Sequence, residues 1–117
     1  MFSFQIDHKI PGALGRAGTI KTPHGEIKTP AFMTVGTQGY VRFLQPKDLV
    51  AIGAQAMLSN GYHLRRTSFE IARQKGLSNW SGWASPTLTD SGGFQVMSLG
   101  SGLGKVVSMD RERGVTN

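Results

Sequence analysis

The residue types best suited to chemistry follow one another in the segment Asp90-Ser91-Gly92-Gly93-Phe94-Gln95. The two glycines let backbone N–H groups approach a ligand closely, and they lie between a carboxylate and hydroxyl on one side and an aromatic ring and amide on the other. Such a cluster could bind a flat polar heterocycle, which would stack on the ring while the carboxylate and the amide hydrogen-bond to its edge. An ordinary Asp-Ser-Gly-Gly turn followed by a buried Phe accounts for the same residues, and spacing alone slightly favours that turn.

Two further segments combine glycine with polar side chains, namely Gly36-Thr37-Gln38-Gly39 and Ser59-Asn60-Gly61-Tyr62-His63. Asn60 could bond a substrate, although Asn before Gly is common in left-handed turns. His63 could serve as an acid or base, but a single histidine between tyrosine and leucine is more often structural. The chain has no cysteine and no paired histidine spacing, so the sequence predicts no metal ligands in this chain.

The intervening residues predict the elements that must position these segments. Residues 1–30 indicate antiparallel strands joined by the Thr22-Pro23-His24-Gly25 turn, and residues 31–35 form a short apolar run typical of a buried strand. A helix is expected from Pro46 to Gly53, a strand over residues 55–59, and a second helix that a capping box at residues 67–70 begins and Gly76 ends. A last strand contains Leu88. Strands that alternate with helices predict βαβ units and a parallel sheet, open or closed into a (β/α)₈ barrel, with all three polar segments on one face.

The last part of the chain, residues 100–117, predicts a loose glycine-rich loop followed by a partial hairpin. Residues 105–109 are typical of a strand, residues 110–114 of a charged turn, and residues 115–116 of a returning strand that stops early. A half-formed hairpin exposes unpaired backbone groups, so we expect the chain to be incomplete.

Charge and composition restrict the class of protein. Thirteen Lys and Arg against seven Asp and Glu give a formal net charge of +6, which favours a nucleic-acid partner because basic excess commonly neutralises phosphates. Basic helix faces are more often solvated surface, and no helix-turn-helix, KH or RRM signature is present. Neither a membrane span nor a signal peptide is evident, so we expect a cytoplasmic protein without a membrane partner.

Six blocks of residues resemble, in order, the N-terminal part of the tRNA-guanine transglycosylases, also called queuine tRNA-ribosyltransferases, and mostly their bacterial and eukaryotic branch. The blocks are Thr22-Pro23-His24-Gly25, Thr29-Pro30-Ala31-Phe32-Met33, Val35-Gly36-Thr37-Gln38-Gly39, Gly53-Ala54-Gln55, Tyr62-His63-Leu64 and Leu88-Thr89-Asp90-Ser91-Gly92-Gly93-Phe94-Gln95-Val96. The uninterrupted block around Asp90 is the most specific of them.

The resemblance implies the N-terminal portion of one TIM-barrel tRNA-ribosyltransferase domain: an antiparallel cap at 1–30, the first βα units at 31–99, and a loop and partial hairpin at 100–117. It implies a glycosyltransferase that exchanges the wobble guanine of tRNA for a 7-deazaguanine, queuine or its aminomethyl precursor preQ1, in queuosine modification. Asp90 matches the base-recognising aspartate and proton acceptor. The other matching substrate-binding residues are Ser91, Gly92, Gly93, Phe94 and Asn60.

Some features of the family are absent from this chain. The nucleophilic aspartate lies on a later strand, and the family's zinc site uses cysteines and a histidine near the C-terminus. We therefore expect zinc and a homodimer in a complete protein, and no activity or bound cofactor in these 117 residues alone. The segment after Asn60 also lacks the Thr and the Arg-Pro-Gly usual in the family. The alternatives are a non-catalytic basic RNA-binding accessory or a truncated inactive fragment, and, less favoured, another barrel enzyme that acts on glycosides or phosphosugars.

Overall fold

The computed structural model describes residues 1–100, 109–110 and 115–116. It contains two three-stranded sheets, one antiparallel and one parallel, together with short helices and a small C-terminal strand pair. The strands are β1 (Ser3–Lys9), β2 (Arg16–Thr22), β3 (Gly25–Thr29), β4 (Thr34–Val35), β5 (Met57–Asn60), β6 (Thr87–Asp90), β7 (Met109–Asp110) and β8 (Val115–Thr116). The helices are α1 (Pro46–Ala51), α2 (Gly61–Leu64), α3 (Ser68–Arg73), α4 (Leu77–Ser81) and α5 (Gly93–Gly100), with a 3-10 turn at Arg65–Thr67 between α2 and α3.

The first three strands form an antiparallel sheet in the order β1-β2-β3, here called the cap sheet. The Thr22 hydroxyl donates to the Gly25 carbonyl at 2.9 Å, and Gly25 has a φ of +125°, a conformation that glycine adopts without a Cβ penalty. The predicted antiparallel opening is therefore confirmed.

The cap sheet is held to the rest of the chain by the side chain of Gln55. Its Oε1 accepts from the backbone N–H of Lys28 at 2.7 Å, and its Nε2 donates to the Lys28 carbonyl at 3.1 Å. The amide thereby pairs with the outer edge of β3 as a neighbouring strand would. Since Gln55 lies two residues before β5, the cap sheet lies at the amino ends of the parallel strands.

The second sheet is parallel, with the order β4-β5-β6, and helices lie in each connection. In this register Val35 is opposite Leu58, Leu58 is opposite Leu88, and Asn60 is opposite Asp90. The predicted βαβ arrangement is confirmed, although the strands are shorter or shifted. Of residues 31–35 only Thr34 and Val35 pair, and the predicted strand at 55–59 runs from Met57 to Asn60. Gln55 lies before the first paired residue of β5, and its side chain binds the cap sheet.

Helix α1 begins and ends close to the predicted residues. Pro46 occupies its first position, and the Asp48 carboxylate accepts from the Gln45 N–H at 2.8 Å. Gly53, with a φ of +82°, lies just past its end, where the Ala54 N–H donates to the Leu49 carbonyl at 2.9 Å. The residues that begin and end α1 act through contacts within the helix and its flanking residues.

The capping box predicted at Thr67 is wrong. The Thr67 hydroxyl donates to the Leu64 carbonyl at 3.1 Å, and no side chain caps the start of α3. The preceding 3-10 turn runs directly into α3, so the first N–H groups of α3 follow a helical turn and not an extended residue. Helix α5 was not predicted, because its eight residues begin and end with glycine.

The two faces of the parallel sheet differ in burial. On one face Met57 packs with Leu49 and Trp83 in the main core, and the Trp83 indole N–H donates to the Pro86 carbonyl at 3.1 Å. The opposite face carries Val35, Leu58 and Leu88 in one row, and Val35 and Leu88 remain 57% and 54% exposed. Asn60 and Asp90 lie two residues further along the same face, since side chains alternate along a strand.

The C-terminal strands β7 and β8 are antiparallel, with Met109 opposite Thr116, as the partial hairpin predicted. Two residues depart from the prediction: Gly100, expected to begin the loop, ends α5, and Asp110, expected to begin the turn, pairs with Val115 in β7. The rest of the predicted strand at 105–108, of the turn at 111–114 and of the loop at 101–104 lies outside the described residues. Among the helices of the described ranges, none combines the length and apolar character needed to cross a bilayer.

Candidate functional site

The carboxyl ends of β5 and β6 bring together Asn60 and Asp90, which are neighbours in the parallel register. The Asn60 Nδ2 donates to Asp90 Oδ1 at 2.8 Å and to Gln95 Oε1 at 3.2 Å. The three side chains are thus joined by one amide group, although 30 and 35 residues separate Asn60 from its two partners.

The two carboxylate oxygens of Asp90 differ in their surroundings. Oδ1 accepts from Asn60 Nδ2 and also from the Gly92 N–H at 2.9 Å. Oδ2 receives no hydrogen bond from any residue in the described part of the chain, and Asp90 is exposed. The carboxylate is therefore oriented through one oxygen while the other is available to the N–H groups of a ligand.

Asn60 holds this end of the sheet together. Only 6% of the residue is exposed; its Oδ1 accepts from the His63 N–H at 3.2 Å, and its own N–H donates to the Thr37 carbonyl at 3.1 Å. Its φ of −110° is extended, so the left-handed turn offered as an alternative for Asn60 is wrong. The three polar segments, which begin near Thr37, Asn60 and Asp90, meet at one edge of the sheet, as the parallel topology predicted.

Ser91, Gly93 and Phe94 lie directly after Asp90. The Ser91 Oγ accepts from the Gly93 N–H at 3.3 Å, and α5 begins at Gly93. Phe94 lies in the first turn of α5 and is 77% exposed. The turn interpretation required a buried Phe, so that part of it is wrong. An exposed aromatic ring four residues after a carboxylate that has one oxygen unengaged in the described residues is suited to a planar ligand.

Two glycines allow the loops to interlock. A Cβ on Gly61 would lie 2.9 Å from the Asp90 backbone oxygen, and a Cβ on Gly92 would contact Tyr62. Gly61 was considered as the second residue of a possible Asn-Gly turn and as part of the segment that departs from the family pattern, and neither feature predicted this close approach. Gln95 was identified as an edge-binding amide, but its bond to Asn60 was not foreseeable.

An open cleft of about 430 Å³ lies beside these residues. His63 lines it, and its imidazole meets the Tyr62 ring edge-on at 5.4 Å between centroids. The other lining residues are Val35, Thr37, Gln38, Tyr40, Val41 and Arg42. Thr37 and Gln38, the polar residues of the Gly36–Gly39 segment, therefore border this cleft.

The residues in hand do not fit a zinc site. Within residues 1–100, 109–110 and 115–116, no three His, Asp or Glu side chains are grouped so that they could hold a metal ion, and the chain contains no cysteine. Structural zinc in proteins is usually held by cysteine and histidine in a closed tetrahedral set. No step of the chemistry below passes through a metal.

A parallel sheet with polar side chains at its carboxyl edge defines a class of α/β proteins that bind ligands at strand ends. Comparison with known proteins narrows this class. A family model described as queuine tRNA-ribosyltransferase matches residues 12–116. The chain therefore belongs to the queuine tRNA-ribosyltransferase family, which confirms the resemblance seen in the sequence blocks.

Several bacterial relatives bear the name queuine tRNA-ribosyltransferase. The Thermus thermophilus protein is 52% identical over 101 residues, which cover 85% of this chain and 26% of the relative. The Synechococcus sp. (strain CC9902) protein is 47% identical over 117 residues, covering 98% of this chain and 30% of the relative. The Rickettsia felis protein is 52% identical over 100 residues, covering 84% and 27%. The chain spans between a quarter and a third of the length of these relatives.

Proposed function

We propose that this chain supplies the base-recognition end of an enzyme that exchanges the wobble guanine of tRNA for a 7-deazaguanine, queuine or its aminomethyl precursor. The observation that carries the proposal is the Asp90 carboxylate, with Oδ1 held by Asn60 and Gly92 and Oδ2 unengaged in the described residues. Family membership supplies the reaction class, and this geometry supplies a residue able to perform part of it.

Asp90 has the chemistry needed to recognise such bases. Guanine and 7-deazaguanines present adjacent N–H groups on one edge, and a carboxylate oxygen accepts from them without offering a competing donor. The Phe94 ring, largely exposed at the start of α5, would stack on the base plane. Ser91 and Gly93 lie between Asp90 and Phe94 along the chain and are bonded to each other through the Gly93 N–H and the Ser91 Oγ. Asn60 would lie near the ribose while it keeps Asp90 in place.

The exchange is a retaining glycosyl transfer in two steps. A carboxylate on a later part of the protein would attack the ribose anomeric carbon, so that a carbon–oxygen bond forms as the bond to guanine breaks. The incoming base would then displace that carboxylate and reform a carbon–nitrogen bond. Asp90 would accept the proton that the incoming base releases, which is the role of a positioned general base.

We also propose that β4, β5 and β6 are the first strands of a (β/α)₈ barrel with the cap sheet at its amino end. Their spatial order follows the chain order, and Val35 and Leu88 expose apolar side chains on the face that a barrel would enclose. A barrel of this type needs about 250 residues, which fits the length of the relatives and not that of this chain. The nucleophile, the zinc ligands and the dimer contacts of the whole protein would then lie outside these residues.

A second candidate is a non-catalytic RNA-binding accessory. The net charge of +6 in 117 residues favours it, because this charge would attract RNA with or without a catalytic centre. The two candidates differ in whether Asp90 contributes to turnover.

Incorporation of labelled guanine into tRNA tests the proposal. The protein to be assayed is a hybrid in which this chain replaces the matching segment of the Thermus thermophilus relative. The exchange is conservative because the two segments are 52% identical. We expect the hybrid to incorporate guanine and the 117-residue chain alone to incorporate none. A folded hybrid that binds tRNA but incorporates no guanine would favour the accessory role and overturn the enzymatic one.

A further inference from the structure

Two arginines stack on aromatic rings along the helical segment formed by α2, the 3-10 turn and α3. The Arg65 guanidinium carbon lies 4.6 Å from the Tyr62 ring centroid, and its Nη2 donates to the Tyr62 hydroxyl at 3.3 Å. The Arg73 guanidinium carbon lies 5.9 Å from the Phe69 ring centroid. We call Tyr62, Arg65, Phe69 and Arg73 the Arg–aromatic stripe. Their spacing of three, four and four residues places them along one side of a helix.

The positive charge of the stripe is not neutralised within the described residues. The ion pairs found there join Lys21 and Lys28 to Glu26, all on the cap sheet. Glu70 lies on the same helix as Arg73, yet it forms no ion pair with either stripe arginine. Stacking restrains a planar guanidinium and, apart from the Arg65 Nη2 bond to the Tyr62 hydroxyl, leaves N–H donors available, so both arginines are prepared to bind an anion.

Phe69, one of several exposed aromatic residues in the described part of the chain, lies between the two arginines of the stripe. It is 71% exposed and takes no part in the core of Leu49, Met57 and Trp83. An exposed ring between cations is a poor solution for folding, because its apolar surface stays in water. The same ring is a suitable platform for a nucleic-acid base, since every base has a flat face that stacks on an aromatic side chain.

The stripe begins at the candidate site. Tyr62 is two residues after Asn60, and it packs so closely against Gly92 that a Cβ there would collide with it. Eleven residues separate Tyr62 from Arg73, which corresponds to about 16 Å along a helix at 1.5 Å per residue. An RNA strand whose target base lies at Asp90 could therefore continue along the Arg–aromatic stripe.

We propose that the Arg–aromatic stripe binds single-stranded RNA that extends from the nucleotide held at Asp90. The phosphates pair with Arg65 and Arg73, and an unstacked base lies on Phe69. The inference rests on the proposed function for the choice of RNA and adds the surface that holds the strand. An acidic peptide would use the arginines but not the exposed ring, and a fully paired duplex would offer phosphates but no free base.

Binding of a fluorescein-labelled, unstructured RNA to the full 117-residue chain tests the charge of the stripe by anisotropy over a salt series. The double variant Arg65→Gln/Arg73→Gln should lower affinity about tenfold or more at low salt and reduce the log–log salt slope by about 1.4, or about 0.7 per lost phosphate contact. Arg16→Gln, on the cap sheet, removes one positive charge where the double variant removes two, and it should change affinity less than about twofold. Equal losses per charge at both places would overturn the proposal, because they would indicate non-specific attraction.

Phe69→Leu tests the base contact separately. This variant should lower the affinity for the unstructured RNA by about five- to tenfold and leave the salt slope unchanged. Its affinity for a duplex of equal charge should also stay unchanged. Photocrosslinking of the same RNA containing 4-thiouridine should label residues 62–73. Labelling confined to other regions, or stripe variants that lose binding to anionic vesicles while RNA binding persists, would overturn the assignment.

The outcome is separable from that of the proposed enzymatic function. If the stripe variants lose affinity for RNA and the hybrid never exchanges bases, the stripe proposal is supported and the enzymatic proposal fails. If the hybrid exchanges bases and the stripe variants bind RNA normally, the stripe proposal fails alone.

Discussion

Replacing Asp90 with Asn removes a charge while preserving most of the local geometry. The asparagine oxygen can take the place of Oδ1 and still accept from Asn60 Nδ2 and the Gly92 N–H. Both bonds change from charge-assisted to neutral, and on an exposed residue this weakening should cost about 1 kcal/mol in unfolding free energy. No bond is lost at the second position, because Oδ2 has no partner in the described residues.

The effect on base exchange should be far larger. The new Nδ2 would be a donor where Oδ2 is an acceptor. It would therefore face the N–H donors on the edge of a guanine-like base, and no hydrogen bond could form between the two groups. Loss of a positioned proton acceptor typically costs about 10²- to 10⁴-fold in rate. We therefore expect Asp90→Asn in the hybrid to lose turnover by that factor, with tRNA affinity changed little.

The assay measures labelled-guanine incorporation and thermal melting on the same preparation. Asp48→Asn is the matched control, because its carboxylate accepts from the Gln45 N–H at the start of α1, far along the chain from Asp90. It should lower stability by no more than about 1 kcal/mol, because the asparagine oxygen can still accept from the Gln45 N–H while the negative charge near the start of α1 is lost. Turnover per folded molecule should stay normal. If Asp90→Asn behaves like this control, Asp90 is a structural turn residue and the site assignment is refuted.

Three other substitutions test the contacts that build the fold and site. Gly61→Ala should lower stability by about 1–3 kcal/mol and reduce exchange, since its Cβ would lie 2.9 Å from the Asp90 backbone oxygen; melting and incorporation measure both, and an unchanged melt would contradict the close approach. Gln55→Leu removes both side-chain bonds to the Lys28 backbone, so hydrogen exchange at the Lys28 amide should accelerate about tenfold, and unchanged protection would refute this docking. Lys75→Gly should raise stability by about 1 kcal/mol, seen as a higher melting temperature, because Lys75 has a φ of +60° at the end of α3; a lower value would contradict this.

Local signals in the sequence were enough to predict several elements. Pro23 and Gly25 fixed the hairpin turn, and Pro46 and Gly53 marked the limits of α1, because each restricts or permits backbone angles wherever the chain lies. The alternation of strands and helices predicted the parallel sheet, and this topology alone placed Asn60 and Asp90 at the same edge.

Contacts between distant residues were decided only by the tertiary structure. No pattern along the chain indicates that one amide group of Asn60 joins Asp90 to Gln95, because that depends on the register of β5 and β6 and on the start of α5. The failed capping box has the same origin, since Thr67 follows a helical turn that its own sequence does not reveal. Sequence sets the conformations open to each short segment, whereas the packing of segments selects among them and determines which polar atoms meet.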